Sequence, residues 1–198
     1  MTPSATSSGR TRMLKADIRE LILGPYDKRV MNNTYRAHFA ECLIAWALGE
    51  QWRLTWQKGW DWAAWDLESE SGVRLEVKQA AARQSWDPPK TPKRVPRFDI
   101  APRKGYWTPE GNQWVDIPGR HAHIYVFAWH GEVKAELCDQ RNAKQWVFHV
   151  VPASVLPEHQ KSIGLGALRK LKQVEPCRIG ELESAVSRVS VAGATKGE

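Results

Sequence analysis

Residues 65–78 read Trp65-Asp66-Leu67-Glu68-Ser69-Glu70-Ser71-Gly72-Val73-Arg74-Leu75-Glu76-Val77-Lys78. The stretch predicts two short strands joined by a tight turn. In the second strand a period of two puts Val73, Leu75 and Val77 on one face, and Arg74, Glu76 and Lys78 on the other. A three-residue loop, Glu70-Ser71-Gly72, places a glycine where a positive φ is needed. Ser69 then pairs with Val73, and Asp66 falls directly across from Glu76. Cross-strand partners have Cβ atoms about 4.5–5.5 Å apart. Two carboxylates that close repel unless positive charge lies between them, and a divalent cation fits such a gap. Mg²⁺ is commonly held by one or two carboxylates at about 2.0–2.1 Å, with waters completing its shell. Lys78, two residues on and on the same face, is placed to orient or help deprotonate an attacking water. This is the minimum equipment for metal-assisted phosphodiester hydrolysis. The competing reading is a solvated polar strand face, which exposed strands normally carry.

Upstream, Leu14 to Leu23 has apolar residues at helical spacing and stops at Gly24-Pro25. Asn33 or Thr34 can cap a second helix that runs through Leu48 to Gly49. That helix is apolar nearly all round, which marks a segment covered on most sides. Glu41 is its only acid. A carboxylate facing a core is costly unless paired. Either Arg36, His38 or a distant lysine neutralises it, or it reaches the acid pair as an extra ligand through water. Six tryptophans (Trp46, Trp52, Trp56, Trp60, Trp62, Trp65) crowd the approach to the hairpin. Core building is the expected role of most of them, and a surface that stacks on sugars or bases is the alternative.

Downstream, residues 83–104 hold five prolines, which forbid a helix, and their basic residues outnumber Asp87 and Asp99. A Pro-stiffened basic loop beside the acid pair suits contacts to a phosphate backbone, with Arg83, Lys90, Lys93, Arg94 and Arg97 as candidates. A solvated excursion reads equally well. His121 to Trp129 predicts a central buried strand, in which His121 and His123 share a face. No third ligand at zinc-like spacing follows, so a structural role is expected for both. Trp146 to Val151 predicts another strand, and Glu181 to Val189 a last helix. The resulting organisation is a tail over residues 1–12, a core domain over 13–158 and a C-terminal helical extension over 159–198.

The 198 residues suffice for one well-buried domain with appendages. No apolar run approaches the roughly 20 residues of a membrane span, and the polar N-terminus lacks the apolar centre of a secretory signal. Three scattered cysteines form no CxxC and suggest no disulfide framework, so a cytoplasmic location is expected. The net charge of +7 suits a polyanionic partner.

Glu41 on a helix, then Asp66 on a strand, then Glu76-Val77-Lys78 on the next strand resemble the PD-(D/E)XK nuclease superfamily, whose fold is restriction-endonuclease-like. The run from Glu76 to Trp86 and the run from Trp146 to Pro152 are similar to small bacterial members of that group. The resemblance covers roughly residues 33–155. Two departures stand out: Trp65 occupies the place of the name-giving proline, and Asp61 is a second aspartate that would be the ligand in another register. The resemblance implies an α/β (α+β) fold with an αβββαβ core, a mixed central sheet flanked by helices. It implies Mg²⁺ or Mn²⁺ held by the carboxylates of Asp66 and Glu76 and the carbonyl of Val77, with Glu41 completing the cluster. Lys78 would hold the nucleophilic water, and Gln79 is a weaker candidate for shaping the site. The implied activity is that of a metal-dependent DNA endonuclease of restriction or repair type, with RNA not separated from DNA and a homodimer as one way to bring two sites to two strands. The alternative is a nucleic-acid-binding protein on the same fold that does not cut. A Trp-rich carbohydrate- or protein-binding domain would explain the tryptophans but not the Asp/Glu/Lys arrangement.

Overall fold

Helix α1 (Ser7–Leu23) starts well ahead of the Leu14 that the apolar spacing predicts and ends where Gly24-Pro25 open a 3₁₀ turn. The computed structural model describes residues 7–60, 62–88, 90, 94–108, 113–172 and 174–194, with side chains from residue 15 to residue 190 within those ranges. Helix α2 (Asn33–Leu48) is capped one residue before the predicted positions: Asn32 Oδ1 accepts from the Tyr35 N–H at 3.0 Å. It buries Arg36, Ala40, Ile44 and Leu48 and stops at Gly49.

Strand β1 (Trp52–Leu54) follows and passes into a 3₁₀ turn over Thr55–Lys58. The hairpin comes next, as β2 (Leu67–Ser69) and β3 (Arg74–Ala81). Its register is the one read from the sequence. Leu67 pairs with Leu75 and Glu68 with Arg74, the Ser69 N–H donates to the Val73 carbonyl at 2.9 Å, and Gly72 turns with φ +80°.

After the hairpin come β4 (Arg97–Asp99), β5 (Tyr106–Trp107), β6 (Trp114–Val115), β7 (Ile124–His130) and β8 (Trp146–Pro152). The chain closes with β9 (Ser162–Gly164), a single-turn α3 (Leu165–Leu168), β10 (Pro176–Cys177) and α4 (Leu182–Ala194). Six strands form one mixed sheet in the order β1-β2-β3-β7-β8-β10, in which β3 and β7 run parallel and the other neighbours antiparallel. A parallel pair needs a crossover, commonly a helix. Here the described residues between Ala81 and Ile124 contain no helix, although the αβββαβ pattern expects one at that place. Prolines 88, 96, 102 and 118 account for this. The segment instead pairs locally, β5 with β6, and across to the C-terminal region, β4 with β9.

Both faces of the sheet are covered. On one, α2 and α4 bury Ala40, Ile44, Leu182 and Val186 against Leu75, Val77, Val126 and Phe148. On the other, Phe98, Ile100, Ile163 and Leu168 pack on Tyr125, Phe127 and Trp65. Helices α2 and α4 therefore lie on one face, and the second is roofed by short strands, loops and the single-turn α3. The C-terminal residues are part of this body, since β10 is an edge strand and α4 packs in the first layer. α2 is fastened to β3 by buried Arg36, which donates to Gln79 Oε1 (2.6 Å), Gln84 Oε1 (2.9 Å), Asn33 Oδ1 (2.9 Å) and the Met31 carbonyl (3.2 Å). Burial lowers its pKa to about 10. Among the described residues no helix is long and apolar enough to cross a membrane.

Candidate active site

The β2–β3 ladder stops one residue short of the acid pair. Leu67 is the last residue of β2 toward its start, so on that side β3 runs on without a strand beside it. Alternate residues of an antiparallel strand point both backbone groups to the same neighbour. Val77 therefore directs its N–H and C=O past the end of β2. The Asp66 side chain takes the place of the missing strand: its Oδ2 accepts from the Val77 N–H at 2.6 Å. The Asp66 main chain is pinned from the other side by Thr55. The Thr55 N–H donates to the Asp66 carbonyl at 2.9 Å, and buried Thr55 Oγ1 donates to the carbonyls of Trp65 (3.1 Å) and Asp66 (3.2 Å).

Glu76 and Lys78 extend from β3 toward the second layer, as the alternation predicts, and the Lys78 ammonium donates to the Glu76 carboxylate. Arg103 Nη2 lies 4.0 Å from the same Glu76 oxygen. Asp66 and Glu76 line one side of an open pocket of about 370 Å³, and Arg103, Trp62, Trp107 and Trp114 line much of the rest. Burial raises the Asp66 carboxyl well above its usual range, and the negative charges of Glu76 and Glu41 add to the rise; the Val77 N–H and Lys78 oppose it. Glu41, half-buried on α2, is raised by burial first, with Glu76 adding to the rise, while His38, a hydrogen bond from the Trp56 side chain and Lys78 pull it down. Glu41 thus belongs to the same electrostatic cluster. Its partners are His38 and Trp56, since Arg36 is committed to the α2–β3 junction.

Such a concentration of acids, offset at Glu76 by Lys78 and Arg103, is a donor set that suits a hard divalent cation. Among the described residues no group of three or more His, Cys, Asp or Glu side chains is placed to hold a metal ion. The donors at the pocket are the two carboxylates of Asp66 and Glu76 and the Val77 carbonyl, with Glu41, the further ligand expected from the sequence, in electrostatic reach on α2. Asp61, the aspartate of the other register, lies outside the described residues.

The remaining candidates separate. Gln79 faces α2 and donates to Asn33 Oδ1 (3.0 Å) besides accepting from Arg36, so it braces the helix rather than the pocket. Arg83 is buried and donates to the carbonyls of Val133 (3.3 Å) and Pro88 (3.1 Å), so in place of the surface role expected of it, it ties the loop after β3 to the β7–β8 connection. Arg94 pairs with Asp87, while Lys90 and Arg97 are exposed. Lys93 lies outside the described residues. The cation that reaches the acids is Arg103, one of several basic residues in the loop and not singled out by its spacing. His121 and His123 precede β7. The His123 Nδ1 accepts from the Arg74 N–H at 3.0 Å and His121 packs on the Tyr106 ring at 4.5 Å, which supports a structural role. Trp65, in the place of the proline, is buried, donates to Glu68 Oε2 at 2.9 Å and carries Arg74 over its ring at 4.0 Å.

Most of the crowded tryptophans are not core residues. Trp52 and Trp65 are buried, whereas Trp46, Trp56 and Trp62 are exposed. The expectation that they build the core fails residue by residue: Trp46 lies on the outer side of α2, Trp56 in the 3₁₀ turn after β1, and Trp62 in the wall of the pocket. No protein-family model matches the chain, and no curated protein matches it in sequence.

Proposed function

We propose that this chain is a metal-dependent nuclease that hydrolyses DNA phosphodiester bonds, on a fold that resembles the PD-(D/E)XK superfamily. The observation that carries the reading is the open end of the hairpin, where Asp66 fills the gap beside Val77 and faces Glu76, with Lys78 on the Glu76 carboxylate. A divalent cation at Asp66, Glu76 and the Val77 carbonyl would supply positive charge for the phosphate and a more acidic bound water. The chain's own groups do the rest. Asp66 is held rigid by Thr55 and Val77, so its carboxylate needs no reorganisation. Lys78 presents an ammonium beside the acids, able to orient a water and to balance charge that grows on the phosphate. Arg103, half-exposed at the pocket mouth, is positioned to take a phosphate oxygen.

The test is cleavage of DNA, supplied both as plasmid and as a single-stranded circle, with Mg²⁺ and its loss with EDTA. Asp66→Ala, Glu76→Ala and Lys78→Ala are each expected to reduce cutting by at least about 100-fold while the far-ultraviolet circular dichroism and Tm hold. Undiminished cutting by any one of them removes that residue from the mechanism. A second reading, a nucleic-acid-binding protein that does not cut, is favoured by the Lys78–Glu76 pair, which already neutralises one of the two acids. It predicts DNA binding that weakens steeply with salt and no cleavage with Mg²⁺ or Mn²⁺.

A further inference from the structure

Three indoles that stay in water share the concavity that holds the acid pair. Trp62 is 78% exposed, Trp114 48% and Trp107 41%, and all three line the pocket with Asp66 and Glu76. Apolar surface of this kind gathered in one hollow marks a binding site more often than a folding remnant. The wall is also built rather than loose. In β5 the alternation turns Tyr106 inward, onto Trp65 at 6.0 Å and His121 at 4.5 Å, and so turns Trp107 outward. Trp107 meets Trp114 of β6 edge to face, with ring centres 5.7 Å apart. The Trp114 indole lies against the backbone of Gly105, where a Cβ would stand 2.7 Å from the ring and 2.3 Å from the Val115 carbonyl oxygen. Only glycine permits that approach, so the ring is seated on main chain. Arg103, two residues earlier, is fixed by its backbone pairing with Gly119 at 2.8 and 2.9 Å.

We propose that this aromatic wall stacks an unpaired base, so that the substrate class is single-stranded nucleic acid. The inference rests on the nucleic-acid reading of the acid pair and names what that site takes. Bases inside a duplex have their faces covered, and a pocket of about 370 Å³ is the size of a small-ligand site. Stacking on aromatic side chains joined to a cationic track is the physical basis of single-strand binding, and it tolerates any sequence because every base has a π-face. A neutral sugar would use the indoles too, but it gains nothing from the net charge of +7, which favours a polyanion.

The test is fluorescence anisotropy with the full chain in EDTA, which holds the nucleic acid intact. The probes are an oligo-dT of about 12 nucleotides, the same length with abasic sites throughout, and a blunt duplex. Oligo-dT is expected to bind at least about tenfold more tightly than either of the others. Trp62→Ala and Trp107→Ala should each weaken oligo-dT binding about tenfold and leave abasic binding unchanged, whereas Trp62→Phe and Trp107→Phe stay within about threefold of the parent. Equal or tighter duplex binding, alanine variants that bind oligo-dT like the parent, or uptake of a cello-oligosaccharide in place of DNA would each overturn the proposal. The two readings fail separately. Tryptophan-dependent single-strand binding with no cutting in Mg²⁺ removes the nuclease and keeps the stacking wall. Duplex plasmid cut equally fast by the parent and the alanine variants removes the wall and keeps the nuclease.

Discussion

Thr55 governs where Asp66 stands. Its hydroxyl reaches two carbonyls and its N–H a third contact, so the main chain at Trp65-Asp66 is held although β2 has ended. Thr55→Val keeps the shape and the N–H but leaves those carbonyls without the hydroxyl, a loss of about 1–2 kcal/mol in stability. Catalysis is more sensitive to position than folding is, and a displacement on the order of 1 Å can cost about 100-fold. Thr55→Val is therefore expected to lower kcat about tenfold or more with KM little changed, and Thr55→Ser to restore it. Equal kcat in Thr55→Val and the parent would show that the β3 side alone fixes Asp66. That Asp66 and Glu76 come to one pocket was legible from alternation and loop length, although the ladder ends before they pair. Thr55 was not, because a buried hydroxyl eleven residues from its acceptor leaves no periodic trace.

The β2–β3 hairpin is the element that turns that local geometry into a register. Gly72 has φ +80° with open space around its Cα, so the cost of a side chain there is conformational rather than steric. Placing an L-residue in the left-handed region costs about 1–2 kcal/mol. Gly72→Ala should lower Tm by roughly 2–4 °C per kcal/mol lost, and Gly72→Asn by less, because Asn tolerates that region. Identical melting of the parent and Gly72→Ala would mean that the turn does not set the register. This hairpin could be read because its second strand is eight residues long and, from Val73 just before it, Val, Leu and Val alternate against Arg, Glu and Lys. The β5–β6 hairpin could not. Its strands are two residues each, too short for a period to show. The same limit hid the crossover: prolines excluded a helix between β3 and β7, but nothing in composition says that β4 pairs with β9 more than sixty residues away.

At the scale of the molecule, covering both faces of one sheet leaves interior positions that must accept polar side chains. His149 on β8 and His130 on β7 are both fully buried. Burial, and then the Arg169 charge, lower His149 to about 4; burial lowers His130 as well. An unfolded histidine titrates near 6.5. Above that pH both states are neutral and the histidines contribute no pH dependence. As pH falls from about 6.5 toward 4 the unfolded chain takes up protons that the native fold refuses, so stability is lost across that window and levels off below it. For His149 alone the loss between pH 7 and 5 is up to about 2 kcal/mol, since one pKa unit is about 1.4 kcal/mol. Asp66 and Glu41 act in the opposite sense: their raised carboxyls favour the fold at low pH, and that contribution is lost as pH rises through their folded values. The two effects are separated by His149→Phe, which removes one titration and leaves the acids untouched. Urea unfolding of the parent and of His149→Phe at pH 7, 6 and 5 is expected to show the variant losing less stability than the parent over this range, whatever its absolute stability at pH 7. Parallel curves for the two proteins would mean that His149 carries a proton in the native state at pH 5, and that the second layer around β8 admits more water than its packing shows.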